Sequence, residues 1–169
     1  MVVLLIEREL TEFDARQVVA LHEGVPQSVQ YRVLLPAHDA ARRVQGAVGS
    51  MASDDRDERA PSRSGAASSD ADSAAQQAVD RSVAVLQATG RPASGRATGD
   101  DPVDALTEEV RASSAAEAIV LTAPHAVREL LHVDWASRAR RVLGIPTLHL
   151  LEHETFDEQA GGGEGVSGV

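Results

Sequence analysis

Ala118-Ile119-Val120-Leu121-Thr122 is an uncharged run, and one helix-length interval later the chain returns as Thr147-Leu148-His149-Leu150-Leu151. The first run has the continuous apolar character of a strand buried on both faces. Pro124 sits where a helix can begin without losing a hydrogen bond, and Val127, Leu130, Leu131, Trp135 and Val142 then fall on roughly one helical face. Arg138, Arg140 and Arg141 occupy the last turns, where cations suit the carbonyl end of the helix dipole. Gly144 and Pro146 stop the helix before the second run. Strand, crossover helix and strand in this order make a right-handed parallel unit.

The remainder of the chain completes that sheet. Val2-Val3-Leu4-Leu5-Ile6 is a second unbroken apolar run, followed by the charged Glu7-Arg8-Glu9, and predicts a buried parallel strand whose carboxyl end opens at Glu7. Thr11 with Asp14 forms a near-capping-box pattern for the next helix, whose apolar contacts are Ala15, Val18, Val19 and Leu21 and whose end is set by Gly24 and Pro26. Val29, Tyr31, Val33 and Leu35 alternate as a further strand. Ala75, Ala78, Val79, Ser82, Val83 and Leu86 form a helical stripe closed by Gly90 and Pro92. Ala93 to Thr98 contains Gly95 and Arg96 and predicts a short edge strand at most. Asp101 and Pro102 then start a helix with Val103, Leu106 and Val110 on its buried face. Strands and helices alternate throughout, which predicts an α/β fold, a doubly wound five-stranded parallel sheet with helices on both faces.

A chain of 169 residues suits one domain. Between about residues 46 and 73 the sequence is Ala, Ser, Gly, Asp and Arg with only Val48 and Met51 as large apolar side chains, which predicts a disordered insertion. The α/β domain is therefore expected over residues 1–154 around this insertion, with residues 155–169, ending in a glycine-rich stretch, as a flexible tail.

Composition excludes several classes of chemistry. There are no cysteines, so no disulfide, thiolate metal site or Cys nucleophile exists. All 16 basic residues are Arg, which removes any phosphate-binding or Schiff-base lysine. The net charge of -10 and the sparse aromatics Phe13, Tyr31, Trp135 and Phe156 argue against nucleic-acid and anionic-membrane partners. No run approaches the ~20 apolar residues of a membrane span, and Met1 to Ile6 lacks the basic start and cleavage site of a signal peptide, so a cytoplasmic protein is expected.

Gly99-Asp100-Asp101-Pro102 before a helix, Glu117-Ala118-Ile119-Val120-Leu121-Thr122, the helix ending in Arg141-Val142-Leu143, and Ile145-Pro146-Thr147-Leu148 together resemble the C-terminal half of a universal stress protein. Val2 to Glu7 is similar to that family's opening strand, which ends in Asp where this chain has Glu7. The resemblance covers about two thirds of the chain. It implies strand order 3-2-1-4-5 and a crevice at the carboxyl ends of the first and fourth strands, where Glu7, Thr122 and His125 are the candidate ligand-binding positions. Nucleotide-binding members wrap ATP phosphates in a glycine-rich loop after the fourth strand. Here Thr122-Ala123-Pro124-His125 stands in its place, and no glycine occurs between Thr122 and Leu143. Side chains and a proline there remove the backbone approach that a phosphate nest requires. The resemblance thus implies a member of the non-ATP-binding type, without a cofactor. Such a module acts in stress response or regulation through protein contacts and a homodimer paired along Thr147 to Leu151, an otherwise exposed apolar edge. The alternative is a nucleotide or small-molecule sensor with its ligand in the crevice.

No enzymatic constellation is present in the sequence. There is no Gly-x-Ser-x-Gly elbow, the turn after Ile6 has no glycine for a dinucleotide, and the acidic run Asp54 to Glu58 falls within the insertion. His125 and His132 share a helical face, and His149 and His153 lie on or after the last strand, a scatter expected of capping and surface positions rather than of metal ligands. His38 and His125, each following a strand, are the pair that would face the crevice.

Overall fold

The computed structural model describes residues 1–25, 28–37, 64–99, 101–123 and 133–155. Its elements are β1 (Val2–Ile6), α1 (Glu12–Ala20), β2 (Tyr31–Pro36), α2 (Ser64–Ala88), β3 (Ala93–Thr98), α3 (Pro102–Ser113), β4 (Glu117–Thr122), α4 (Val133–Leu143) and β5 (Thr147–Leu151). The strands form one five-stranded sheet in the order β3-β2-β1-β4-β5, and all its pairings are parallel. Fold class and strand order are those expected from the sequence.

Alternation along the central strands divides the apolar side chains between two layers. Val2, Leu4 and Ile6 of β1, with Val33, Leu35, Ile119 and Leu121, meet Ala15 and Val18 of α1 and Ala75, Val79 and Leu86 of α2. Val3 and Leu5, with Leu34, Ala118 and Val120, meet Val103, Leu106 and Val110 of α3 and Ala136 and Ala139 of α4. Both faces of β1 and β4 are therefore covered, which is why those strands carry no charged residue in their interiors. Each such Leu, Ile or Val contributes about 1.5–3 kcal/mol by leaving water.

Local signals set the helix starts. Thr11 and Asp14 form a complete capping box at α1. Asp101 caps α3 by accepting from the N–H groups of Val103 and Asp104, both at 3.0 Å, with Pro102 following. These bonds, the Asp104 N–H foremost, hold the Asp101 carboxyl below its usual range. Arg138 also donates to Asp101 at 3.0 Å and to Asp104 at 3.2 Å, so it ties α4 to the head of α3. Arg140 and Arg141 are the cations of the last turn.

Three sequence expectations need correction. The helix α2 begins at Ser64, so residues 64–73, read as the end of a disordered insertion, are helical. Ala and Ser extend a helix at little cost once Ala75, Val79 and Leu86 have fixed it to the sheet. Residues 46–63 of that insertion lie outside the described residues, as do Pro124, Val127, Leu130 and Leu131. On α4 the buried positions are Ala136 and Ala139, with Trp135 and Leu143 packed beside them, whereas Val142 is 49% exposed. Small alanines let the helix approach the sheet, and Val142 falls at the rim of that face. Lastly, β3 lies at the edge of the sheet as expected but is not short, pairing with β2 along all six of its residues, from Tyr31 opposite Ala93 to Pro36 opposite Thr98. Gly95 is what permits this, since a Cβ there would lie 2.6 Å from Val79 Cγ1 and 2.8 Å from the Val33 carbonyl oxygen.

At the amino end of the sheet, Tyr31 Oη lies 2.9 Å from His22 Nδ1, and His22 Nε2 lies 3.1 Å from Glu117 Oε2. Burial pushes the Tyr31 hydroxyl up to about 12, against the pull of Arg91. This chain closes the end of α1 onto the first residues of β2 and β4.

Gly95→Ala is expected to lower stability by about 1–3 kcal/mol through overpacking against Val79 and the Val33 carbonyl, measured as a reduced urea midpoint at unchanged slope. An unchanged midpoint would mean that α2 does not sit this close to β3.

Candidate functional site

The carboxyl ends of β1, β4 and β5 bring together the residues that carry unusual chemistry. Chain order reverses between β1 and β4, so the connections after these strands leave on opposite sides, and a crevice is expected between them. Glu7 stands at this point. Its N–H donates to the Leu121 carbonyl at 3.1 Å, continuing the ladder one residue beyond β1. Its carboxylate Oε2 accepts the Ala123 N–H at 3.0 Å, and the side chain is buried at 6% exposure. The first backbone donor of the loop after β4 is thus engaged by the protein's own carboxylate.

Thr122 is the last residue of β4 and is fully buried. Its Oγ1 lies 2.9 Å from Nε2 of His149 on β5. Burial, aided by the Arg140 guanidinium, lowers the His149 imidazole below its usual value, so at neutral pH it is uncharged and suited to pairing with a hydroxyl.

Two further carboxylates lie on the α1 side of this end, and the sequence reading gave neither a place in the site. Asp14 is buried, accepts from Thr11 Oγ1 at 2.6 Å and from Thr11 N at 3.3 Å through Oδ2, and accepts the His153 N–H at 2.7 Å through Oδ1. One side chain thus caps α1 and pins the turn that follows β5. Glu152 is 3% exposed, and its N–H donates to the Thr122 carbonyl at 2.9 Å. Burial first, then the charges of Glu7 and Asp14, push the Glu152 carboxyl up to about 7, with Arg8 and His153 opposing. The signal that would have found Glu152 is the one that picked out Glu7: an acidic residue placed directly after an apolar strand run.

Of the expected crevice positions, Glu7 and Thr122 do meet at this end of the sheet, with Glu7 bonded to the residue that follows Thr122. His125 lies outside the described residues, as do His38 and His132. His149 packs on Thr122, and His153 is exposed beside Asp14. Among the described residues no group of three or more His, Asp or Glu has the arrangement of a metal site. The cavity beside this end, lined by Asp14, Gln17, Val18, Leu121 and Leu150, has a volume of about 10 Å³, room for roughly one water molecule. Two larger depressions lie elsewhere. One of about 520 Å³ runs between α1 and α2, and one of about 510 Å³ lies beside Gln76 and Thr98. The arrangement as a whole can hold a proton and fix backbone amides.

No protein-family model matches the sequence, and no curated protein matches it. Among solved structures, the universal stress protein from Archaeoglobus fulgidus is similar with a TM-score of 0.53 at 11% identity, over 88% of this chain and 92% of that one. A hypothetical protein of known crystal structure is similar at 13% identity and a TM-score of 0.45, over 90% of this chain and 97% of that one. The five-stranded α/β architecture is thus that of a universal stress protein structure.

Glu7→Ala leaves the buried Ala123 N–H without its acceptor and is expected to cost about 1–3 kcal/mol in urea unfolding, whereas Glu7→Gln keeps an acceptor oxygen and stays within about 1 kcal/mol of the parent. Equal losses for the two variants would show that the hydrogen bond is not what Glu7 contributes.

Proposed function

We infer that this chain is a universal stress protein-like module of the non-ATP-binding type, acting in stress response or regulation through self-association and protein contacts. The observation that carries this reading is the Glu7 carboxylate on the Ala123 N–H. In a nucleotide-binding crevice the amides after β4 are held open for phosphate oxygens. Here the first of them is already bonded to an anionic side chain, which would repel a phosphate as well as compete with it. The absence of glycine between Thr122 and Leu143 supports the same conclusion.

Self-association is supported by β5. Among the described residues it lies at the edge of the sheet beside β4, and its Leu148 and Leu151 are half-buried apolar residues. An edge of this kind can pair its outward backbone and apolar side chains with a second copy of the chain.

Sedimentation velocity is expected to give a dimer at micromolar concentration, and Leu151→Lys, which places a cation on the edge, is expected to give a monomer. Millimolar ATP, ADP, AMP or cyclic AMP, with and without magnesium, is expected to leave the melting temperature unchanged. A saturable rise with any of them would favour instead a nucleotide sensor in which the ligand displaces Glu7, and a wild-type monomer would remove the self-association part of the reading.

A further inference from the structure

The turn after β5 is held by contacts that depend on one buried acid. His153 has φ at +62°, a left-handed conformation that costs a non-glycine residue energy. It stays there while its N–H donates to Asp14 Oδ1 at 2.7 Å and the preceding Glu152 N–H donates to Thr122 at 2.9 Å. Between these two bonds the Glu152 side chain is buried, and its Oε1 has no hydrogen-bond partner among the described residues. An ionised carboxylate in such a place forgoes its hydration, and Arg8 offsets only part of that loss, whereas the protonated acid carries no charge to solvate.

The charged groups facing Glu152 come from three elements: Glu7 and Arg8 at the end of β1, Asp14 on α1 and His153 in the turn itself. Ionised Glu152 adds a negative charge beside Glu7 and Asp14, and Arg8 offsets part of it. We propose that Glu152 is the proton-binding element of a latch, which holds the turn after β5 against the start of α1 while Glu152 is protonated and loosens it when the proton leaves. The latch needs no ligand in the crevice and so is independent of the proposed function.

The direction follows from linkage. The docked carboxyl, pushed up to about 7, holds its proton across a range in which a solvent-exposed glutamate, with its ordinary value of 4.5, has lost it. Docking is therefore favoured fully below that ordinary value and is progressively lost as pH rises through about 7. The turn lies at the surface, where local opening is easiest: His153 is exposed, and Leu151, Glu154 and Thr155 are half-buried.

The test is amide hydrogen exchange by NMR on the full chain from pH 5.5 to 8, corrected for intrinsic rates, for the parent and for Glu152→Gln. Protection of the His153 amide is expected to fall by roughly tenfold or more in the parent, about one or more pKa units of linkage, and to stay level in Glu152→Gln. Protection in the parent that does not change with pH overturns the proposal. So does a fall that persists unchanged in Glu152→Gln, because another group would then be titrating. Should Glu152→Gln fail to fold, the pH dependence in the parent and in Glu152→Ala decides in the same way.

Discussion

Burial of β1 on both faces is the constraint on which the rest of the structure depends. Val2 to Ile6 are each at most 4% exposed, and the strand is paired with β2 on one side and β4 on the other. Its even-numbered side chains close the layer of α1 and α2, and its odd-numbered ones close the layer of α3 and α4. A polar side chain at any of these positions would face a helix without a partner, at a cost comparable to much of a small domain's stability.

The same arrangement concentrates polar groups at the two ends of the sheet. At the amino end Tyr31 pairs with His22 and His22 with Glu117. At the carboxyl end Glu7, Asp14 and Glu152 are all buried. Two of them have bonded backbone amides as partners, Ala123 for Glu7 and His153 for Asp14. Glu152 uses its backbone for bonding and leaves a carboxyl oxygen without a partner among the described residues. The carboxyl end of the sheet thus gathers three of the chain's own acids, two of which bond backbone amides of the segments around it and one of which is suited to carry a proton.

Strands β1 and β4 were legible because a strand buried on both faces leaves an uninterrupted apolar run, and the caps at Thr11 and Asp101 because they depend on neighbours in sequence. β3 was harder to read, since its fitness lies in Gly95 making room for Val79, a contact that no local pattern records. The face of α4 was misjudged because large residues were weighted over Ala136 and Ala139, which the sheet prefers for close approach. Of the site, Glu7 and Thr122 were legible through the family resemblance, which marks the carboxyl ends of the first and fourth strands. Asp14 was recognised as a cap, but its bond to His153 joins residues far apart in the chain, and the Thr122 to His149 contact likewise depends on the pairing of β4 with β5.

In the proposed function Glu7 closes the crevice by holding the amide that begins the loop after β4. The most direct measurement is the NMR amide resonance of Ala123 during titration with magnesium ATP. The account predicts that this resonance stays in place to millimolar nucleotide. A saturable shift of the Ala123 amide would mean that phosphate takes the position of the Glu7 carboxylate, and the crevice would then be a nucleotide site.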